Sequence, residues 1–388
     1  MVARISILII LLALLPDIYI YRRFLRHRFD LTPWQHLLWW IPGAAIIAYT
    51  VMLSMIRDFA PDNITWLNVY LFLIGLIVVP KVLFALCSLV GSGIKRIFGL
   101  RRNWGNYAGL LAVLGTLYIL FYGAMIGNDR LTVRRVTIEF DNLPQSFDGY
   151  RIAQFSDAHL GSMDDEMLRR AVAEINGLRA DMIVFTGDLQ NMRPQELPRF
   201  QSTLKELHAK DCIYSVLGNH DYAGYVNQSE STKRVYEAMT RRFERSVGWD
   251  LLLNDRRIIR RSADSIVIAG CENDGKPPFP SKADLNKTLH GISPQTFVIM
   301  LQHDPSAWQR HILPQSNASL TLSGHTHGGQ FSLFGLRPTQ LTAREDDGLY
   351  NKDGRMLFVS TGLGGFVPFR FNMPPEVVEI TLKRKSNA

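Results

Sequence analysis

Five short apolar runs in this 388-residue chain each end in side chains that can hold a cation or move a proton. RIAQF (151–155) is followed by Ser156-Asp157-Ala158-His159, and MIVF (182–185) by Thr186-Gly187-Asp188. IYSVL (213–217) leads into Gly218-Asn219-His220-Asp221, and FVIML (297–301) into Gln302-His303-Asp304. LTL (320–322) leads into Ser323-Gly324-His325-Thr326-His327-Gly328-Gly329. Of the ten histidines in the chain, five occupy these positions. Carboxylate, imidazole and amide oxygen together favour Mn, Fe or Zn over the metals that prefer thiolate. A carboxylate between two such ions can bridge them. Ions about 3.5–4 Å apart can activate a shared water and clamp phosphoryl oxygens. A lone Asp-x-His or Gly-Asp is common by chance, so the signal lies in all five occurring in order, each after an apolar run.

The elements that must position these groups are legible from the same stretch. The runs are short and rich in β-branched residues, which predicts strands, as it does for IVIA (266–269). Continuous apolarity implies burial on both faces, as in a sheet covered by helices. Met167, Leu168, Ala171, Val172, Ile175 and Leu178 fall at helical spacing, with Asp164, Asp165 and Glu166 at the end where the helix dipole favours acids. The fold class is therefore α/β. Strand ends in such folds converge on one edge, where their sites lie.

The first third differs. Runs at 5–21, 37–56, 66–90 and 107–126 approach or exceed the roughly 20 residues needed to cross a bilayer. They predict four transmembrane helices in a membrane anchor over 1–128, with the soluble domain over 131–388. Trp34, Trp39, Trp40, Trp66, Trp104 and Tyr107 cluster near span ends, where amphipathic rings favour the headgroup zone. Arg22, Arg23, Arg26 and Arg28 lie between the first two spans, and Lys95, Arg96, Arg101 and Arg102 between the last two. The positive-inside rule makes both loops cytoplasmic and places the soluble domain outside the cytoplasm. Asp17 and Lys81 fall inside spans; the reading is that Asp17 sits near a span end and that Lys81, after Pro80, snorkels. Residues 1–130 hold 12 Lys/Arg against 5 Asp/Glu, and the remainder 31 against 30, so +7 of the net charge of +8 belongs to the anchor. That excludes a nucleic-acid footprint on the soluble part and points to lipid as the partner of the basic loops. Cys87, Cys212 and Cys271 form no close pair, and the last two are read as buried thiols.

With these motifs in place, the soluble part resembles the calcineurin-like metallophosphoesterase family over about 150–382. The extended Gly324-His325-Thr326-His327-Gly328-Gly329-Gln330, with Ser360-Thr361-Gly362-Leu363-Gly364 and Pro374-Pro375-Glu376, looks like its bacterial membrane-attached or exported phosphodiesterase branch. The resemblance implies a β-sandwich flanked by helices and a multi-pass inner-membrane location. It implies that Asp157, His159 and His327 bind one divalent ion, that Asn219, His303 and His325 bind another, and that Asp188 bridges them. It makes His220 a catalytic group that faces the phosphoryl group and protonates the leaving oxygen. The reaction implied is in-line attack on phosphorus by a hydroxide activated by both ions. Ala158 stands where a larger apolar residue is common; no ligand is missing.

The anchor motivates a lipid-linked phosphodiester or pyrophosphate as substrate. A phosphomonoester or other soluble substrate, with the spans as a tether, is the alternative; a non-catalytic membrane sensor or scaffold is a third reading. Arg370, in Pro368-Phe369-Arg370-Phe371, is a candidate for binding the substrate phosphate, against a surface cation. The basic stretch 233–245 is read as a solvated helix face, and 273–280 as a loop shaping the pocket.

Overall fold

The structure, a computed structural model, describes residues 2–26 and 30–385; Arg28, counted above among the loop charges, lies outside them. The chain divides into two compact units, Met1–Ala124 and Met125–Ala388.

The first unit is helical: α1 (Ser6–Ile20), α2 (Pro33–Ser54), α3 (Ile64–Leu73), α4 (Val79–Ile97) and α5 (Trp104–Met125). A π-helical turn, Ile74–Val78, joins α3 and α4 into one 34-residue rod. The start of α2 is set locally, because the Thr32 hydroxyl accepts from the Gln35 N–H, the Gln35 side chain accepts from the Thr32 N–H, and Pro33 follows. Among the described residues three helices are long and apolar enough to cross a membrane: Pro33–Ser54, Ile64–Ile97 and Trp104–Asp129. The first expected span is shorter, 15 residues of α-helix carrying Pro16 and Asp17 and continued by a π-helical turn, Tyr21–Leu25. Lys81 does not snorkel. Its ammonium lies 2.7 Å from the Asp17 carboxylate, which is buried, and 4.8 Å over the Trp39 ring. The reason is energetic: two charges in an apolar bundle are less costly paired than apart.

The second unit is a pair of six-stranded mixed sheets. The first holds, in spatial order, β1 (Thr132–Phe140), β12 (Glu376–Arg384), β2 (Arg151–Phe155), β3 (Met182–Phe185), β4 (Cys212–Ser215) and β5 (Asp250–Leu251). The second holds β10 (Gly348–Lys352), β11 (Arg355–Val359), β9 (Leu320–Ser323), β8 (Val298–Leu301), β7 (Asp264–Gly270) and β6 (Asp255–Arg261). All six apolar runs named above are strands. Their alternate faces fill separate cores. Ile152, Met182, Val184, Ile268, Ile299, Leu301 and Leu322 meet between the sheets. Phe155, Ile183 and Phe185 pack outward against helix α6 (Asp165–Gly177), and Val298 and Met300 outward against Trp308 and Ile312. Helix α6 is the one the spacing predicts, capped by the Asp164 carboxylate accepting from the Glu166 N–H. Strands β2 to β5 run parallel, as do β7, β8, β9 and β11, so the motif-bearing ends of each sheet emerge on one edge.

Candidate metal centre

Residues after β2, β3 and β4 supply Asp157, His159, Asp188, Asn219 and His220; residues after β8 and β9 supply His303, His325 and His327. These eight meet. Ligand atoms of Asp157, His159 and His327 lie within 4.8 Å of one another, as do those of His159, Asp188 and His220, and those of Asp188, His303 and His325. Asp188 and His159 each belong to two groups, so the three merge into one cluster.

The backbone beneath it is held in an unusual state. Asp157, His159, Asp188, His325 and His327 all have positive φ, between 46° and 74°. For residues with a Cβ this costs about 1–3 kcal/mol each and persists only where the surroundings dictate it. The surroundings do. The Asp157 N–H donates to the Gly187 carbonyl at 2.8 Å and the His159 N–H to the Asp188 carbonyl at 3.1 Å, tying the first two ligand loops together. The His325 N–H donates to the Asp157 carboxylate at 3.0 Å, which links the two sheets. The Asp221 carboxylate, whose place in the motif gave no hint of its role, accepts from the N–H groups of Asp188, Leu189 and Gly218 at 2.9–3.0 Å. Burial pushes that carboxyl up to about 7. Two glycines are dictated by crowding: a Cβ on Gly218 would sit 2.2 Å from an Asp188 carboxylate oxygen, and one on Gly324 2.0 Å from the Ser156 hydroxyl.

Side-chain orientation suits cation binding. The His303 Nδ1 lies 2.7 Å from the Thr186 carbonyl, which can only accept, so Nδ1 carries a proton. Its Nε2 is thereby turned to Asp188 and Asn219, each at 3.2 Å. The Asn219 amide donates to the Tyr225 hydroxyl at 2.6 Å, which leaves its oxygen toward the cluster. His159 and His327 point Nε2 at each other across 3.3 Å, and the buried Nδ1 of His327 has no hydrogen-bond partner among the described residues. One Nε2 can donate to the other in the absence of metal, and with both lone pairs bare the two face the same point, so this donor set fits a shared cation.

The proton balance makes the same demand. Burial pushes Asp157 up to about 6 and His159 down to about 3. Burial also works against charge on His303 and Asp188, yet their mutual attraction wins. His303 rises to about 10 and Asp188 stays well below the usual carboxylate range. A proton on His303 there balances the charge that a divalent ion would balance.

His220 is placed differently. Its Nδ1 contacts the Asn191 carbonyl and so must donate, leaving Nε2 free. Its ring stacks on Tyr225 at 4.0 Å, with an interplanar angle of 12°. The loop 273–280 does reach the cluster, with Phe279 set edge-on to His325 at 5.1 Å.

Arg370, the candidate for the substrate phosphate, is not a surface cation and offers no exposed nitrogen to a phosphate. It is fully buried, and its terminal nitrogens donate to the carbonyls of Thr361, Gly362, Gly364, Met373 and Pro374. A guanidinium offers five donors in a fixed fork, which lets one side chain gather the turn after β11. That turn carries the brace under the site: Leu363 N–H donates to the Ser156 carbonyl and Gly364 N–H to the Asp157 carbonyl, both at 2.8 Å. In the basic stretch, now α8 (Glu230–Ser246, after the short α7, Gln201–Leu204), Lys233 pairs with Glu230, and Arg241 with Glu237 and Glu272. Cys212 and Cys271 are free thiols, the latter buried.

A phosphoesterase class is what this sheet edge defines, and comparison with known proteins agrees. Residues 150–329 match the calcineurin-like phosphoesterase family, and residues 3–128 match the transmembrane domain that accompanies such phosphoesterases. The chain is similar to the metallophosphoesterase YkuE of Bacillus subtilis, with 33% identity over 64% of this chain and 84% of that one. It is also similar to the UDP-2,3-diacylglucosamine pyrophosphatase LpxG of Chlamydia trachomatis, with 32% identity over 63% of this chain and 87% of that one. A transmembrane protein with a metallophosphoesterase domain from Danio rerio is 30% identical over 71% of this chain, and the match spans 62% of the zebrafish protein's length. The chain belongs to the calcineurin-like phosphoesterase family, and it is a membrane protein.

Proposed function

We propose that this protein hydrolyses a phosphodiester or pyrophosphate, lipid-linked in its natural setting, with two divalent cations of the Mn, Fe or Zn type. Asp157, His159 and His327 would hold one cation, Asn219, His303 and His325 the other, and Asp188 would be shared between them. The observation that carries the reading is the sharing of Asp188 and His159 between neighbouring ligand groups. When bound, the cations neutralise phosphoryl charge and supply the nucleophile. The chain's own residues do the rest. His303, its Nδ1 proton fixed on the Thr186 carbonyl, keeps Nε2 available as a ligand. His220, its Nδ1 proton on the Asn191 carbonyl and its basicity lowered by burial, presents Nε2 as an acceptor, which must take up a proton before it can give one to the leaving oxygen. The positive-φ backbone keeps the ligands preorganised, so little is lost to ordering them when substrate arrives.

The lipid-linked part of the reading is supported by the transmembrane helices and by the similarity to LpxG, which is named for a diacylated sugar nucleotide. We also propose that α1 completes a four-span anchor over 1–128, with the catalytic domain, 131–388, outside the cytoplasm. The Asp17–Lys81 pair pins α1 to α4, and the basic loops favour that orientation.

The test uses metal-loaded full-length protein in nanodiscs, comparing UDP-2,3-diacylglucosamine with bis(p-nitrophenyl) phosphate. A kcat/KM at least about tenfold higher for the lipid-linked compound, one factor of ten per 1.4 kcal/mol of transition-state binding, is the expected result. Equal values reduce the spans to a tether, and no turnover of either leaves a sensor or scaffold.

A further inference from the structure

The loop that follows the His325-Thr326-His327 ligands exposes apolar side chains in a way the catalytic chemistry does not explain. Phe334 is 94% exposed, Leu341 89% and Leu336 71%. Leu333 and Leu336 exchange N–H···O bonds, both at 3.0 Å, which makes a tight hairpin with Phe334 and Gly335 at its tip. Both tip residues have positive φ, 52° for Phe334 and 81° for Gly335. Such a tip favours Asn or Asp before Gly; a bulky aromatic there is strained. A chain that places Phe in that conformation and leaves it in solvent obtains nothing from folding in return.

The loop is stiff at its base. The Thr326 hydroxyl, between two ligands, donates to the Asp346 carbonyl at 2.6 Å. The Asp346 carboxylate in turn accepts from Arg337 at 2.7 and 2.9 Å and from Thr339 at 2.8 Å. Phe331 stacks on Phe371 with ring centroids 5.6 Å apart. The apolar tip is therefore mounted on the ligand segment itself.

We propose that residues 333–344 form a membrane-docking tip, in which Phe334, Leu336 and Leu341 enter the headgroup–acyl boundary of the bilayer beside the metal centre. The occupant is lipid because the chain already meets a bilayer: Trp104–Asp129 is long and apolar enough to cross one, and β1 starts at Thr132. The charge fits as well. No acid lies between Leu333 and Arg344, whereas Arg344 and Lys276, which both act on Glu345, are exposed and would meet phosphate headgroups on docking. This deepens the lipid-linked reading of the same site, since a substrate with acyl chains would be presented where the tip enters.

The test reads docking separately from substrate choice. Full-length protein carrying Cys87→Ala and Cys212→Ser, with a nitroxide on Phe334→Cys, is reconstituted in phosphatidylcholine–phosphatidylglycerol nanodiscs. Collision with oxygen should exceed collision with a water-soluble nickel chelate, as for a lipid-immersed label. Free access of the nickel chelate overturns the proposal, whatever the substrate proves to be. In the second arm, Phe334→Ser/Leu336→Ser/Leu341→Ser should lower turnover of nanodisc-embedded UDP-2,3-diacylglucosamine by about tenfold or more, on the scale set by three lost apolar anchors. Bis(p-nitrophenyl) phosphate turnover should be unchanged, which also reports intact folding. Equal loss on both substrates contradicts a docking role. A lipid-immersed label in a protein that ignores the diacylated substrate upholds docking and refutes the lipid-linked reading instead.

Discussion

The two sheets contribute unlike halves of the centre. The first supplies both carboxylates and the amide, Asp157, Asp188 and Asn219, on loops cross-tied by backbone hydrogen bonds. The second supplies His303, His325 and His327, and is coupled to the first by the His325 N–H on Asp157 and by His303 against Asp188. Both carboxylate ligands come from one side, together with the His159 imidazole, and the other side supplies imidazoles alone. Two of the three ligand groups draw on both sheets, so the full centre exists only when the core between them is packed. That is why strained backbone can be tolerated at five ligand positions: the packed sandwich leaves those loops no alternative.

The comparison breaks first at Asp188, the one carboxylate shared by two ligand groups. Asp188→Asn should lose bound metal and lower turnover by about 10⁴-fold or more, because several kcal/mol of charge stabilisation go with the ions. Metal analysis beside kinetics checks this, and a variant that keeps both metal and activity refutes the bridging role. His220→Ala should retain its metal and lose about 10²–10⁴-fold in kcat, the usual range for a general acid. The loss should shrink for substrates with good leaving groups; an equal loss for all would place His220 among the ligands.

Arg370→Ala sharpens the contrast between chemistry and scaffold. It leaves five backbone carbonyls without their donor and should destabilise the domain by about 3 kcal/mol or more. Thermal unfolding should show the loss. A raised KM with unchanged stability would instead return Arg370 to the substrate.

Metal affinity should also depend on pH, in a definite sense. His303 is pushed up to about 10 by Asp188, so below that pH a proton must leave before a cation binds. Affinity should therefore rise with pH by up to about tenfold per unit for each proton released. A flat profile between pH 6 and 8 would mean that His303 is not a ligand.

Much of this was legible in the sequence because the parallel strands are buried on both faces and read as unbroken apolar runs, each stopped by its ligands. β1, β6 and β12 were not, since Arg134, Arg135, Arg256, Arg257, Lys383 and Arg384 interrupt their patterns where one face meets water. β12 nonetheless sits between β1 and β2, a pairing of residues far apart in the chain that no local pattern encodes. The role of Arg370 was hidden because a fully buried arginine is rare and is specified only by the five carbonyls around it. The Asp17–Lys81 pair was hidden for a related reason, as each charge looked isolated until the helices met.

The most direct test of the account is the divalent-metal content of full-length protein reconstituted with Mn²⁺, measured alongside phosphoester turnover with and without chelator. About two ions per chain are expected, with turnover abolished by chelation and restored by metal. Fewer than one ion per chain, with turnover indifferent to chelator, would contradict the claim that these seven side chains form a catalytic cation site.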